Sequence, residues 1–217
     1  PLAGMIAILL SEVRGKKFKK TVQTAITIPN FISWIIIYSI MFSLFSNDGL
    51  LTTLVRGLSG NRGSTVTLLT NPGTAKLFMV LTNIWKTVGY NSIIFFAAVT
   101  GIDSQLYDAA AVDGAGRWQK ILHITLPALK PTIMILLILA IGGVLNTGYE
   151  QQLLMSNDAI LNYSDVLDTY AYRYGLKNGM YSYGTAVGFF KSAVSFILVI
   201  SANALSKKFS DDNTALF

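Results

Sequence analysis

The chain has no cysteine and a single histidine, His123. That excludes disulfides and thiolate metal sites and leaves no basis for a zinc cluster. Charged residues make up 13% of its 217 positions, well below the roughly 25% of soluble domains. It lacks a G-x-x-x-x-G-K-[ST] run, so any nucleotide that drives it must bind another chain. No histidine or acidic pair is placed for catalysis, and we assign no catalytic residue and no metal ligand. Nor does any basic stretch have the layout of a nucleic-acid module.

What fills the space is apolar: 52% of residues are hydrophobic and the mean hydropathy is +0.51. Apolar stretches at about 25–45, 77–101, 131–148 and 185–205 approach the ~20 residues a bilayer demands. Residues 1–10 read as the tail of a fifth. The expectation is an all-α polytopic membrane protein, a bundle of transmembrane helices with lipid as one partner. Pro1 lies inside an apolar run with no basic region before it, so the N-terminal part reads as missing rather than as a signal peptide.

Basic residues give the orientation. If residue 10 ends on the cytoplasmic side, the inside segments hold Arg14, Lys16, Lys17, Lys19, Lys20, Arg117, Lys120, Lys130, Lys207 and Lys208, ten of 17 cations. The longer outside loops hold Arg56, Arg62, Lys76, Arg173 and Lys177, which fits the positive-inside rule. The net charge of +6 then reflects topology and anionic headgroups.

Between the second and third complete spans lies a polar, small-residue insert at about 103–125. Asp103 suits the cap of a helix from Ser104 to Val112, Asp113-Gly114 a turn, and Trp118, Ile121, Leu122 and Thr125 recur at helical spacing. Ala109, Ala110 and Ala111 keep the first helix thin, and Gly114 permits a positive φ. Pro127 and Pro131 fit the opening of the next long helix.

Asp108-Ala109-Ala110, Asp113-Gly114-Ala115 and Ile124-Thr125-Leu126-Pro127, with Gly114 six residues after Asp108, resemble the "EAA" signature of binding-protein-dependent ABC importer permeases. The Asp-Gly-Ala-Gly-Arg-Trp run resembles the carbohydrate-uptake branch, maltose-permease-like. Val13-Arg14, Pro29-Asn30-Phe31-Ile32-Ser33-Trp34, Asn83-Ile84-Trp85-Lys86 and Tyr172-Arg173-Tyr174-Gly175-Leu176 are similar to its polysaccharide-type permeases. The one departure is Asp108, where the signature has Glu. The resemblance implies the type I importer permease fold in a bacterial plasma (inner) membrane. Its partners would be a second permease subunit, an ABC ATPase dimer and an extracellular or periplasmic solute-binding protein. ATP and Mg would bind the ATPase, with no cofactor on this chain. Asp108, Ala109, Ala110, Ala111, Asp113, Gly114, Ala115 and Pro127 would form the ATPase-coupling surface. A secondary transporter or channel with no ATPase is the alternative.

Asn83, Lys86, Thr87 and Tyr90 share one helical face, and a cation near mid-bilayer costs about 2.5–3.5 kcal/mol on insertion scales. With Asn146, Tyr149, Glu150 and Lys191 they are candidates for a substrate path for sugar hydroxyls or a carboxylated sugar. The competing expectation pairs Lys86 or Lys191 with Glu150 or with the second permease to hold the bundle. Gly184-x-x-x-Gly188 suggests close helix packing. In the outside segment 151–183, Ser164 is expected to cap an interfacial helix through Tyr174, with Gly175, Asn178 and Gly179 as a flexible return. That helix suits either a binding-protein dock or a membrane-surface scaffold. The 47–73 segment, with its Gly60-Asn61-Arg62-Gly63 run, reads as a surface linker.

Overall fold

The computed structural model describes residues 1–13, 15–59, 68–146 and 148–209, the last two of them by backbone alone. Arg14, the Gly60 to Gly63 run with Arg62, and the Lys208 side chain therefore lie outside the described residues. Among those described, all regular structure is helical. In order come α1 (Leu2–Glu12), α2 (Lys16–Phe31), α3 (Trp34–Phe45), α4 (Leu50–Ser59), α5 (Pro72–Thr100), α6 (Ser104–Val112) and α7 (Arg117–Lys120). A π-helical turn at Ile121–Thr125 leads into α8 (Leu126–Gly142). After it come α9 (Tyr149–Met155), α10 (Leu161–Ser164), α11 (Leu167–Ala171), a second π segment at Tyr172–Lys177 and α12 (Tyr181–Phe209).

Local chemistry sets these boundaries. The apolar stretch expected as one helix over 25–45 is two, parted at Ile32–Ser33. Pro29 weakens the last turns of α2 because it supplies no N–H to the helical ladder. Ser33 then restarts the chain as the N-cap of α3, its Oγ accepting from the Ile36 N–H at 3.4 Å. At the head of α5, Asn71 Oδ1 accepts from the Gly73 N–H at 2.9 Å and Pro72 takes the first helical position, where its missing N–H costs nothing. Part of the expected 47–73 linker is the helix α4.

The prolines expected to open the helix over 131–148 lie within a continuous run, Arg117–Gly142. Neither Pro127 nor Pro131 can donate to the preceding turn, and the ladder adjusts by widening, with the Leu126 N–H bonding Ile121 O. This run ends at Gly142, six residues earlier than the apolar stretch suggested. Among the described residues, three stretches are long and apolar enough to cross a membrane: Trp34–Ser59, Arg117–Gly142 and Tyr181–Lys207. Many of their large apolar side chains point outward, Phe189 being 78% and Phe196 66% exposed, as lipid-facing helices require. The 29-residue α5 is absent from that set, its apolar run interrupted by Asn83, Lys86, Asn91 and other polar residues.

The chain divides into two compact units. One comprises 1–30, 85–142 and residues from 196 on; the other comprises 31–84 and 143–195. In the first, Ala7, Leu129 and Ile138 are buried, and α5 meets α2 so closely that a Cβ on Gly89 would lie 1.9 Å from Ile26 O. The second is built around Ile37, Ala75, Met79, Met155 and Ile160, with Trp34 and Tyr38 packed against them.

The segment after α9 departs from expectation. Ser164 ends α10 instead of capping the next helix, its buried hydroxyl shared between Ser156 Oγ at 2.6 Å and Ile160 O at 3.1 Å. The following helix starts at Leu167, where Thr169 Oγ1 accepts from the Val166 N–H at 3.0 Å. Gly175 is no flexible return: it is buried in the second π segment, and a Cβ there would lie 2.8 Å from the Gly184 Cα. Gly179, with φ +73°, makes the turn. Of the Gly184-x-x-x-Gly188 pair, Gly184 serves this close approach, while a Cβ on Gly188 would meet nothing within 4 Å.

Candidate functional site

In the first unit α6 and α7 form an outward-facing pair. Asp103 Oδ1 accepts from the Gln105 N–H at 2.9 Å and starts α6. Its other end closes as a Schellman turn: the Ala115 N–H reaches Ala110 O at 2.8 Å and the Gly114 N–H reaches Ala111 O at 3.2 Å. That geometry needs the left-handed conformation Gly114 adopts, φ +76°. Gln119 Oε1 then accepts from the Gly116 N–H at 2.7 Å to begin α7, and the Tyr107 and Thr125 hydroxyls bond at 2.9 Å, tying α6 to the π turn. The result is a rigid bend that hides little of itself. Asp108, Ala109, Ala111, Asp113, Gly114 and Pro127 are exposed, Ala110 and Ala115 partly so. Val112 at 89% and Trp118 at 73% exposure offer bare apolar surface beside them.

The polar candidates of the spans separate. In the second unit Asn83 Nδ2 donates to Gln151 Oε1 at 3.1 Å, and Gln151 Nε2 donates to Met79 O at 2.7 Å. Asn83, Asn146 and Gln151 line one cleft of about 540 Å³, with Lys76, Tyr163 and Asp165 also on its walls. Tyr149 lines a different cavity and meets Tyr172 edge to face. Glu150 is exposed, and Lys191 pairs with Asp168, not with Glu150. In the first unit Lys86 is buried, its Nζ donating to Asn30 O at 3.0 Å and Pro29 O at 3.3 Å. Those are the carbonyls that the end of α2 leaves without a helical partner, a favourable place for a cation. Tyr90 is 48% exposed. His123 bonds within its own helix, Nδ1 lying 3.0 Å from Gln119 O.

Sequence reasoning missed Gln151, 2% exposed and the hub of the Asn83 cleft, and the ion pairs Arg173–Asp165 and Lys191–Asp168. The three-residue spacing of Asp165 and Asp168 was a signal for the pairs, since a half-buried Lys191 needs a counter-charge. For Gln151, next to an identical residue in sequence, there was no comparable signal.

Residues 2–211 match the family described as "Binding-protein-dependent transport system inner membrane component". The chain belongs to this family. This inner membrane component is 43% identical over 213 residues to Protein LplB of Bacillus subtilis (strain 168), covering 98% of this chain and 66% of LplB. It is 45% identical over 213 residues to the polygalacturonan/rhamnogalacturonan transport system permease protein YteP of the same strain, covering 98% of this chain and 65% of YteP. The chain thus spans about two thirds of the length of these relatives. Its fold matches, with TM-score 0.90 and 35% identity, a crystal structure of a bacterial ABC transporter involved in the import of the acidic polysaccharide alginate, covering 97% of this chain and 73% of that one. An inner membrane component agrees with the outward apolar helices and with the absence of strands among the described residues.

Proposed function

We propose that this chain is a membrane-spanning permease subunit of a binding-protein-dependent ABC importer that carries oligosaccharides or related complex carbohydrates. Fragments of acidic polysaccharides are the favoured cargo, on the strength of the 45% identity to a polygalacturonan/rhamnogalacturonan permease and the likeness to an alginate importer. The observation that carries the reading is the α6–α7 bend, thin at its alanines, bare at Val112 and Trp118 and fixed by Gly114. It is the shape a partner helix or groove needs for close approach.

ATP is hydrolysed by a separate pair of subunits, and this chain is not an enzyme and holds no cofactor. Closure of that pair moves the α6–α7 bend as a rigid lever, and the permease, with a second related subunit, alternates between inward- and outward-open states. A solute-binding protein delivers the sugar outside. Asn83 and Asn146 offer amide donors and acceptors to sugar hydroxyls along the path, and Tyr90 an exposed ring. Lys86 contributes indirectly, by holding the end of α2.

The test is uptake by proteoliposomes holding this chain, the second permease and the ATPase, supplied with the loaded binding protein. Trigalacturonate is expected to enter only with ATP and Mg on the ATPase side. Uptake driven by a proton or sodium gradient without the ATPase would establish the secondary-transporter alternative instead.

A further inference from the structure

The second unit holds an open pocket of about 620 Å³, lined by Tyr149, Asp168, Tyr172, Gly175, Tyr181 and Thr185 among others. Its size falls in the range of small-molecule sites, as does its make-up of largely apolar walls with a few polar groups. Tyr149 and Tyr172 stand edge to face, ring centroids 5.8 Å apart and planes at 68°. Where Gly175 and Gly184 line it, any side chain on Gly175 would collide with the Gly184 backbone. Lys191 bonds Asp168 Oδ1 yet is not among the lining residues, so it pairs with the carboxylate from outside the cavity and leaves a second oxygen to accept.

The chemistry narrows the ligand. An ionised carboxylate accepts hydrogen bonds and cannot donate them, and its charge-assisted bonds are the strong ones. An apolar ligand would desolvate Asp168 without return, and an anionic group would meet a like charge. A sugar ring satisfies both kinds of wall, with C–H groups against aromatic rings and neighbouring hydroxyls as donors to the carboxylate. We infer that this cavity binds the hydroxyl face of one pyranose residue of the transported oligosaccharide. In it Asp168 accepts from a vicinal diol, Tyr149, Tyr172 and Tyr181 contact the ring, and Lys191 acts as a positioning residue for Asp168. Burial, and then the neighbouring Tyr172, Asp168 and Glu150, hold the Tyr149 phenol above its usual range, and like any neutral phenol it can donate. The inference rests on the carbohydrate-permease reading and adds to it a subsite that takes the diol of a uronate residue, not its carboxylate.

The experiment uses the complete transporter in proteoliposomes with trigalacturonate. Asp168→Asn is expected to assemble and to lower uptake per assembled transporter at least about tenfold. The exchanged pair Asp168→Lys with Lys191→Asp, tested with a neutral oligosaccharide as well, should restore any lost assembly but not uptake, because an ammonium has no acceptor for the diol. Restored uptake by the exchanged pair would overturn the inference and make the pair purely structural, as would full uptake per assembled Asp168→Asn transporter. Failure of the unaltered transporter to take up trigalacturonate or a neutral oligosaccharide with ATP is a different result, and it would strike down the carbohydrate-permease reading itself.

Discussion

A buried ammonium must find acceptors, and Lys86 finds two in the main-chain carbonyls of Pro29 and Asn30. One helical turn further, Gly89 lets the same helix touch Ile26 O, so clamp and close approach reinforce one another. Lys86→Met removes donors from carbonyls that are poorly placed to reach water, at a cost of about 1–3 kcal/mol. It is expected to lower the yield and thermal midpoint of detergent-extracted transporter while uptake per assembled complex stays near normal, and Lys86→Arg should recover part of the loss. Normal yield with altered substrate preference would place Lys86 on the substrate path. The spacing of Asn83, Lys86, Thr87 and Tyr90 disclosed a polar face in advance. It could not disclose the partners, because the carbonyls that take up Lys86 exist only where α2 ends, 56 residues away at Asn30.

Elements whose ends are set by local chemistry were readable in the sequence. The α6 helix, with Asp103 at one end and Gly114 at the other, follows from capping and turn preferences alone. Where the ladder adapts to tertiary packing, reading failed. The π turn before Pro127 keeps Arg117–Gly142 continuous, and Ser164 spends its hydroxyl on Ser156 and Ile160 instead of capping. At Gly114 a Cβ would meet nothing within 4 Å, so the cost of Gly114→Trp to the chain itself is chiefly the strain of a left-handed backbone, about 1–3 kcal/mol. The variant should reach the membrane in near-normal amount, yet fail to retain the ATPase on purification and show no ATP-driven uptake. ATPase retention and uptake equal to the unaltered chain would remove the α6–α7 bend from the coupling role.

At the scale of the whole molecule, composition announced the solvent before any contact was known. Too few charges to coat a soluble domain and long apolar stretches left lipid as the medium, and the outward Phe189 and Phe196 fit it. Composition said less about α5, which reads as a span from its length but carries too many polar residues to stand with the three stretches that, among the described residues, are long and apolar enough to cross a membrane. Such a helix requires protein neighbours, which is a property of the assembly and not of a hydropathy sum. The central claim is that the α6–α7 bend lies on the cytoplasmic side and meets an ATPase. Because the chain has no native cysteine, Ala111→Cys gives a single reporter on an exposed turn of α6. In intact cells it should resist an impermeant thiol reagent added outside, and in inverted vesicles a short bifunctional reagent should join it to the ATPase subunit. Labelling from outside with no cross-link to the ATPase would contradict the account.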